Sequence, residues 1–338
     1  MQLIDGRAIA DKIRQEVKEE ITRLGITPGL GVILVGNDPA SYLYVSLKQK
    51  ACQEVGIKFE KYVLPTTDTH KGVIPRRAAE ESRADQNNEI LRYAQNDNVC
   101  GCEQCIINLI RNLNVRPDIH GILVQVPLPP PYNKNKIIST LEPDKDVDGF
   151  HQVNLRATLE GEARIIPGVA LGVDALIGET LRVKGAASNF TEQNLEVGPF
   201  ANSLTNKKAV LLMNSTTFAL PIEYLLEGRG ALVHIILRPS EITPEIIAQL
   251  KTADIFVVAI GRPQIIKGDM LKDGAIVIDV GTNRLPDGKL VGDVDFETTQ
   301  NKPGFITPVP GGVGPMTVAM LLRNTIELAK AQSKAQTR

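Results

Sequence analysis

A chain of 338 residues, 43% of them hydrophobic, is long enough for two domains with real cores. Its formal net charge of −1 excludes a global basic footprint for nucleic acid or an anionic membrane, and 4% aromatics with no tryptophan exclude an aromatic-lined sugar or RNA platform. No apolar run reaches transmembrane length and residues 1–6 lack the make-up of a signal peptide, so the expectation is a soluble, cytoplasmic protein with no membrane or nucleic-acid partner.

Residues 9–24 place Ile9, Ile13, Val17, Ile21 and Leu24 at helical spacing and stop at Gly25, which predicts an amphipathic helix. Residues 30–36 form a short β-branched run bounded by glycine and a proline turn, the pattern of a buried parallel strand. A helix follows, capped by Asp38 or Ser41, with Tyr44 and Lys48 four residues apart and so on one face. A lysine beside a phenol near the carboxyl end of a strand is where open α/β sheets hold ligands; an ordinary surface lysine over a half-buried tyrosine reads the same way. Cys52 on this helix reads as a small buried residue. Residues 58–64 alternate and predict a second strand.

Residues 70–102 are rich in Arg, Glu, Asn, Gln and Ala without apolar period and read as a disordered insertion. The stretch is also similar to the translation of a dispersed bacterial DNA repeat. Cys100, Cys102 and Cys105 lack a second nearby pair, and no metal is assigned to them. A helix over 105–113 precedes a third buried strand over 120–129, which ends in Val124, Gln125 and prolines. Gln125 is polar where the pattern wants an apolar residue, so it needs a partner or a ligand. In 143–151 three acids and Lys145 precede Gly149; aspartates there make turns or accept hydrogen bonds from a ligand rich in N–H donors.

From Val169 strands over 208–213, 231–237, 254–260 and 275–280 alternate with helices over 220–227 and 244–250, which predicts a doubly wound parallel sheet. Such a sheet binds a dinucleotide when a glycine-rich turn follows its first strand, yet residues 213–221 contain no glycine. Residues 185–203 are polar and irregular. The tail from Phe305 carries a Pro/Gly loop over 308–315 and a closing helix over 318–329.

The segments SYLYVSLKQKACQEVGI, HGILVQVPLP, KDVDGFH and ITPVPGGVGPMTVAMLL together resemble the methylenetetrahydrofolate dehydrogenase/methenyltetrahydrofolate cyclohydrolase family over nearly the whole chain apart from 70–102 and 186–204. The resemblance implies a two-domain α/β enzyme of one-carbon metabolism and purine biosynthesis, commonly homodimeric. Residues 1–149, completed by 306–338, would form the catalytic and folate domain; residues 150–305 would form a Rossmann-like NADP domain, with folate held in the cleft. It implies that Lys48 is the central catalytic group, assisted by Tyr44 and Gln125, and that Asp148 holds the pterin. Tyr44, Val124, Pro308, Gly311 and Gly312 would line the folate, and Ser215, Arg238, Gly261, Gly281 and Thr282 the cofactor. The family's turn carries glycines where this chain has Met213 and Ala219, so weakened NADP binding and an impaired dehydrogenase half are expected. A folate-binding scaffold without turnover stands as the alternative.

Overall fold

The computed structural model describes residues 1–66, 101–183 and 203–336. The polar insertion, with Cys100, and the irregular stretch fall almost wholly outside the described residues. In chain order the elements begin with β1 (Gln2–Leu3), α1 (Gly6–Leu24), β2 (Gly29–Val35), α2 (Pro39–Val55), β3 (Lys58–Leu64), α3 (Glu103–Asn114), β4 (Gly121–Val124), α4 (Lys134–Ile138), α5 (Gln152–Glu160) and α6 (Gly168–Val183). They continue with β5 (Lys208–Met213), α7 (Thr216–Gly228), β6 (Leu232–Leu237), α8 (Pro244–Leu250), β7 (Ile255–Ala259), β8 (Ile276–Asp279), β9 (Asn283–Arg284), β10 (Leu290–Val291), β11 (Phe305–Ile306) and α9 (Val313–Gln336). The chain divides into two compact units. One holds Arg14–Asn154 and Leu321–Arg338; the other holds Met1–Ile13 and Leu155–Met320.

The first unit contains a three-stranded parallel sheet in the order β3-β2-β4. Every residue of β2 is buried, because the central strand of a covered parallel sheet meets side chains on both faces. That is why 30–36 reads as an unbroken apolar run rather than an alternation. One face packs Ile33, Val35, Tyr62 and Leu64 against Ile106, Leu109, Ile110 and Leu113 of α3. Helix α2 starts where Asp38 accepts the N–H and the hydroxyl of Ser41, both at 2.8 Å, so of the two candidate caps Asp38 is the one used. It stops at Gly56, whose φ of 90° is the left-handed turn that favours glycine.

The second unit is built on six parallel strands in the order β1-β11-β8-β7-β5-β6. The chain runs from β5 outward to β6, then returns to β7 on the other side of β5, so the topological switch lies between β5 and β7. This is the Rossmann-like arrangement predicted from 208 onward. Residues 1–13 and 306–320, which the resemblance groups with the folate half, fall in this unit, where Gln2 and Leu3 pair with Phe305 and Ile306. Val210, Leu212, Phe256, Val258 and Val277 form its core with Leu250 and Ile306.

Element ends differ from their sequence readings for local reasons. Helix α7 starts at Thr216 rather than 220, since the chain turns at an extended Ser215 directly after β5. Pro221 therefore sits inside the helix, where it leaves one intrahelical bond unmade, and not in the first turn that a proline usually marks. Helix α9 likewise starts at Val313, immediately after the glycine pair. Helices α5 and α6 have no counterpart in the sequence reading.

Gly29 opens β2 against the loop before β4. A Cβ there would stand 1.9 Å from the carbonyl oxygen of Asp118. Gly29→Ala should lower stability by about 2 kcal/mol through overpacking. Urea unfolding checks it; an unchanged midpoint would mean that the loop yields freely.

Candidate active site

At the carboxyl end of the first unit's sheet, the Gln125 N–H continues the ladder by donating to the Ile33 carbonyl at 2.9 Å. Its side-chain amide donates to the Val126 carbonyl at 2.7 Å, and its Oε1 accepts from Lys48 Nζ at 2.9 Å. The polar residue that the strand pattern could not explain is thus hydrogen-bonded through both its amide oxygen and its amide nitrogen, and the oxygen's partner is the lysine on α2. The structure brings these two together across 77 residues of sequence. Tyr44 is half-buried one turn before Lys48 on α2. Val124 is 3% exposed and belongs to the core cluster under the sheet.

Burial lowers the Lys48 pKa, while the charges of Asp148 and Cys52 act the other way. Burial pushes the Asp148 carboxyl up to about 6; Lys48 pulls it down and Asp146 adds to the rise. Lysine and aspartate are therefore near enough for each charge to stabilise the other. Cys52, one turn after Lys48, is fully buried, and desolvation keeps its thiol protonated. Its place beside Lys48 had no signal in the sequence beyond the spacing of four.

The loop carrying Asp148 shows what its neighbours do. Lys145 is 8% exposed and donates to the carbonyls of Leu113 (3.3 Å), Arg116 (2.5 Å) and Ile119 (2.8 Å), closing off the end of α3 and the loop after it. Asp146 is 1% exposed and accepts the N–H groups of Gly149 (3.2 Å) and His151 (2.7 Å) and the amide of Asn154 (3.1 Å). Asn324 of α9 donates to the Val147 carbonyl at 3.0 Å. Of the charged residues at 145, 146 and 148, two hold the backbone, and Asp148 is coupled to the charge of Lys48.

The remaining candidates lie in the second unit. In the Pro308–Gly312 loop the Gly312 N–H donates to the Pro308 carbonyl at 2.8 Å. A Cβ on Gly6 would stand 2.1 Å from the Gly312 oxygen, and one on Gly312 would stand 2.6 Å from Thr307 Cβ. The start of α1 and this loop thus touch backbone to backbone. Ser215 is the N-cap of α7, yet its side chain makes no capping bond, so the positive amino end of that helix is left without a side-chain cap. Asn214 N–H donates to the Ala259 carbonyl at 2.9 Å, which joins the ends of β5 and β7. Met213 and Ala219, which stand where glycines were expected, are a strand residue and a helix residue, 1% and 0% exposed.

Arg238 ends β6 with φ 46°, its N–H on the Met213 carbonyl and its Nε on the Asn214 carbonyl, both at 2.8 Å. Gly261 has φ 71° and nothing near its missing side chain, whereas a Cβ on Gly281 would stand 2.4 Å from Asp293 Cγ. Thr282 is exposed. All five cofactor candidates lie at the carboxyl ends of parallel strands. Among the described residues no group of His, Cys, Asp and Glu could hold a metal ion, and no helix is long and apolar enough to cross a membrane.

Two family models match the chain. The tetrahydrofolate dehydrogenase/cyclohydrolase catalytic domain covers residues 4–88 and 92–148, a range that takes in most of the polar stretch set outside the resemblance. The NAD(P)-binding domain of the same name covers 198–333. The chain is similar to the bifunctional protein FolD of Campylobacter hominis, 40% identical over 337 residues and 99% of each chain. It is equally similar to FolD of Moorella thermoacetica, 40% identical over 332 residues, 97% of this chain and 99% of that one. Among solved structures it matches the FolD methylenetetrahydrofolate dehydrogenase/cyclohydrolase of Campylobacter jejuni at 36% identity and a TM-score of 0.75, covering 98% and 99% of the two chains. The Trypanosoma brucei enzyme, solved with NADP cofactor and inhibitor, matches at 31% identity and 0.75, covering 98% of each chain. With both family models matched in order and relatives aligned end to end, the chain belongs to the tetrahydrofolate dehydrogenase/cyclohydrolase family.

Proposed function

We propose that this protein oxidises 5,10-methylenetetrahydrofolate to the methenyl form with NADP and hydrolyses the methenyl form to 10-formyltetrahydrofolate. The observation that carries this reading is the hydrogen bond from Lys48 Nζ to Gln125 Oε1, made by a lysine whose pKa burial lowers. A neutral amine has two N–H donors and one lone pair. With one N–H directed at Gln125, the lone pair is aimed, and it can take the proton of a water that attacks the cationic methenyl carbon. The proton leaves through the resulting ammonium, which the Asp148 carboxylate favours. Ionised Asp148 also accepts hydrogen bonds from the ring N–H and amino groups of a pterin. Tyr44 assists Lys48 from the same helix face. In the family's pattern Val124, Pro308, Gly311 and Gly312 line the substrate.

The second unit fits a dinucleotide at the ends of β5, β6 and β7. The uncapped amino end of α7 suits pyrophosphate, with Ser215 offering a hydroxyl. Arg238 supplies charge where a 2′-phosphate would stand, and Gly261, Gly281 and Thr282 border the same strand ends. Bound NADP supplies the hydride acceptor. Met213 ends β5 and Ala219 lies within α7, so both flank the turn that glycines would leave freer, which argues for weaker binding than in relatives that keep them. Because both side chains are buried, the reading is a loss of affinity and not of the site. By the same resemblance the protein would act as a cytoplasmic homodimer that feeds purine biosynthesis.

Lys48→Met should lower methenyl hydrolysis by about 10²–10⁴-fold, as expected for a lost proton-transfer group, with the fold retained. Tyr44→Phe should cost less, because the ring stays. Hydrolysis at the parent rate by folded Lys48→Met sinks the assignment.

The raised pKa of Asp148 also predicts a pH dependence of stability. A carboxyl at about 6 in the folded protein, against about 4 in the unfolded chain, binds its proton more tightly when folded. That contribution is complete below about pH 4 and is lost as pH rises through about 6. Asp148→Asn cannot ionise, so its stability relative to the parent should rise over this window and stay level above it. Urea melts at a series of pH values test this; a difference independent of pH overturns it.

For the cofactor, restoring Met213→Gly and Ala219→Gly together should tighten NADP binding, at a stability cost of about 1 kcal/mol in the α7 helix and about 2–5 kcal/mol for the buried side chain removed from β5. Calorimetric titration decides it. Parent binding as tight as that of the double variant would mean that the turn meets phosphate without glycine.

A further inference from the structure

Asp293 is fully buried, and its carboxylate holds one turn. Oδ2 accepts the N–H of Ile260 at 2.7 Å and of Gly261 at 3.1 Å. Oδ1 accepts the N–H of Arg262 at 2.8 Å and the side-chain amide of Asn283 at 2.9 Å. Three consecutive backbone amides therefore converge on one charge. The turn they belong to follows β7, at the switch between β7 and β5 where open α/β sheets take their ligands.

Peptide planarity fixes what the other side of this turn presents. In a trans peptide the carbonyl points opposite to the N–H of the next residue. The N–H groups of Gly261 and Arg262 aim at Asp293, so the carbonyls of Ile260 and Gly261 aim away from it. Gly261 is exposed, and its φ of 71° lets the chain reverse there. The turn consequently offers acceptors. A nicotinamide nucleotide has phosphates, which accept only, and ribose hydroxyls and a carboxamide, which donate. The amino end of α7 matches the first kind of group and this turn the second.

A second carboxylate keeps Asp293 in place. Asp279 is 3% exposed and accepts the N–H groups of Gly281 (2.9 Å), Asp293 (3.1 Å) and Val294 (2.8 Å). Room for the pair exists only because two neighbours lack side chains. A Cβ on Gly281 would stand 2.4 Å from Asp293 Cγ, and one on Gly292 would stand 1.9 Å from Asp279 Oδ2.

We propose that Asp293 is the positioning residue of the cofactor half, holding the 260–262 turn so that the carbonyls of Ile260 and Gly261 receive the ribose hydroxyl or carboxamide donors of NADP. The inference rests on the reading of this unit as an NADP site. The experiment compares parent and Asp293→Asn in two assays, NADP-linked oxidation and methenyl hydrolysis without NADP. Asparagine keeps the shape but turns an NH₂ toward backbone N–H donors, so the turn must shift. The expected result is a KM for NADP raised about tenfold or more, with kcat and hydrolysis within about twofold of the parent. An unchanged KM in the folded variant overturns the proposal. So does a joint fall of both activities and of Tm, which would make Asp293 merely structural. If Asp293→Asn does not fold, Asn283→Ala removes one of the four donors and leaves the carboxylate; about a threefold rise in KM is then expected, and no rise overturns the proposal. A parent that hydrolyses the methenyl substrate but takes no NADP overturns the cofactor reading itself, which the variants cannot do.

Discussion

The first unit depends on keeping one amine out of water and yet aimed. Lys48 loses hydration on burial, and a lone buried ammonium would be costly. The cost is met by one directed hydrogen bond and one nearby carboxylate, Gln125 and Asp148. Each of these needs a rigid support. Gln125 is tied twice, through Ile33 and through Val126. Lys48 rides on a helix fixed at one end by Asp38 and at the other by Gly56. Asp148 stands between residues that Lys145 and Asp146 have already locked. A shift in any of them changes the balance between the neutral and charged amine, and so the chemistry available at neutral pH.

Carboxylates recur in this protein as inward-facing anchors for backbone amides. Asp146 organises the loop around Asp148, Asp293 the turn after β7, and Asp279 the strand end beside it. An ionised carboxylate accepts several N–H groups at once and cannot donate, so it imposes one orientation on every amide around it. Such an anchor sets which face of a loop shows carbonyls and which shows amides. It thereby shapes a ligand site without touching the ligand.

Two strands of the first unit are legible because buried parallel strands carry their own signal, whereas the third, read over 120–129, is only Gly121–Val124. The run Gly29–Val35 and the stretch Lys58–Leu64 stand within a residue or so of where composition puts them. Helix ends were less legible. Pro221 and the Gly311–Gly312 pair punctuate the sequence strongly, yet α7 runs through the first and α9 begins directly after the second. Punctuation residues report backbone freedom, and tertiary packing decides whether it is used. In the site, Lys48 with Tyr44 and the misplaced Gln125 could be picked out singly. Their meeting could not, because nothing local connects residues 77 apart. Lys145 and Asp146 illustrate the opposite failure. Beside Asp148 they look like one acidic ligand-binding loop, and only their hydrogen-bond partners separate the two that hold backbone from the one coupled to Lys48.

The glycines carry the same lesson further. Gly281 follows β8, and the resemblance credits it to the cofactor. The space its side chain would fill belongs to Asp293. Gly6 and Gly312 answer likewise to each other's backbone. Met213 and Ala219 show the converse, side chains accepted inside a strand and a helix where the resemblance leads one to expect glycine. These departures lie in the second unit, while Lys48, Gln125 and Asp148 all belong to the first. A change at the turn between β5 and α7 therefore involves none of the residues that hydrogen-bond the amine. Changes in one set of supports thus need not disturb the other.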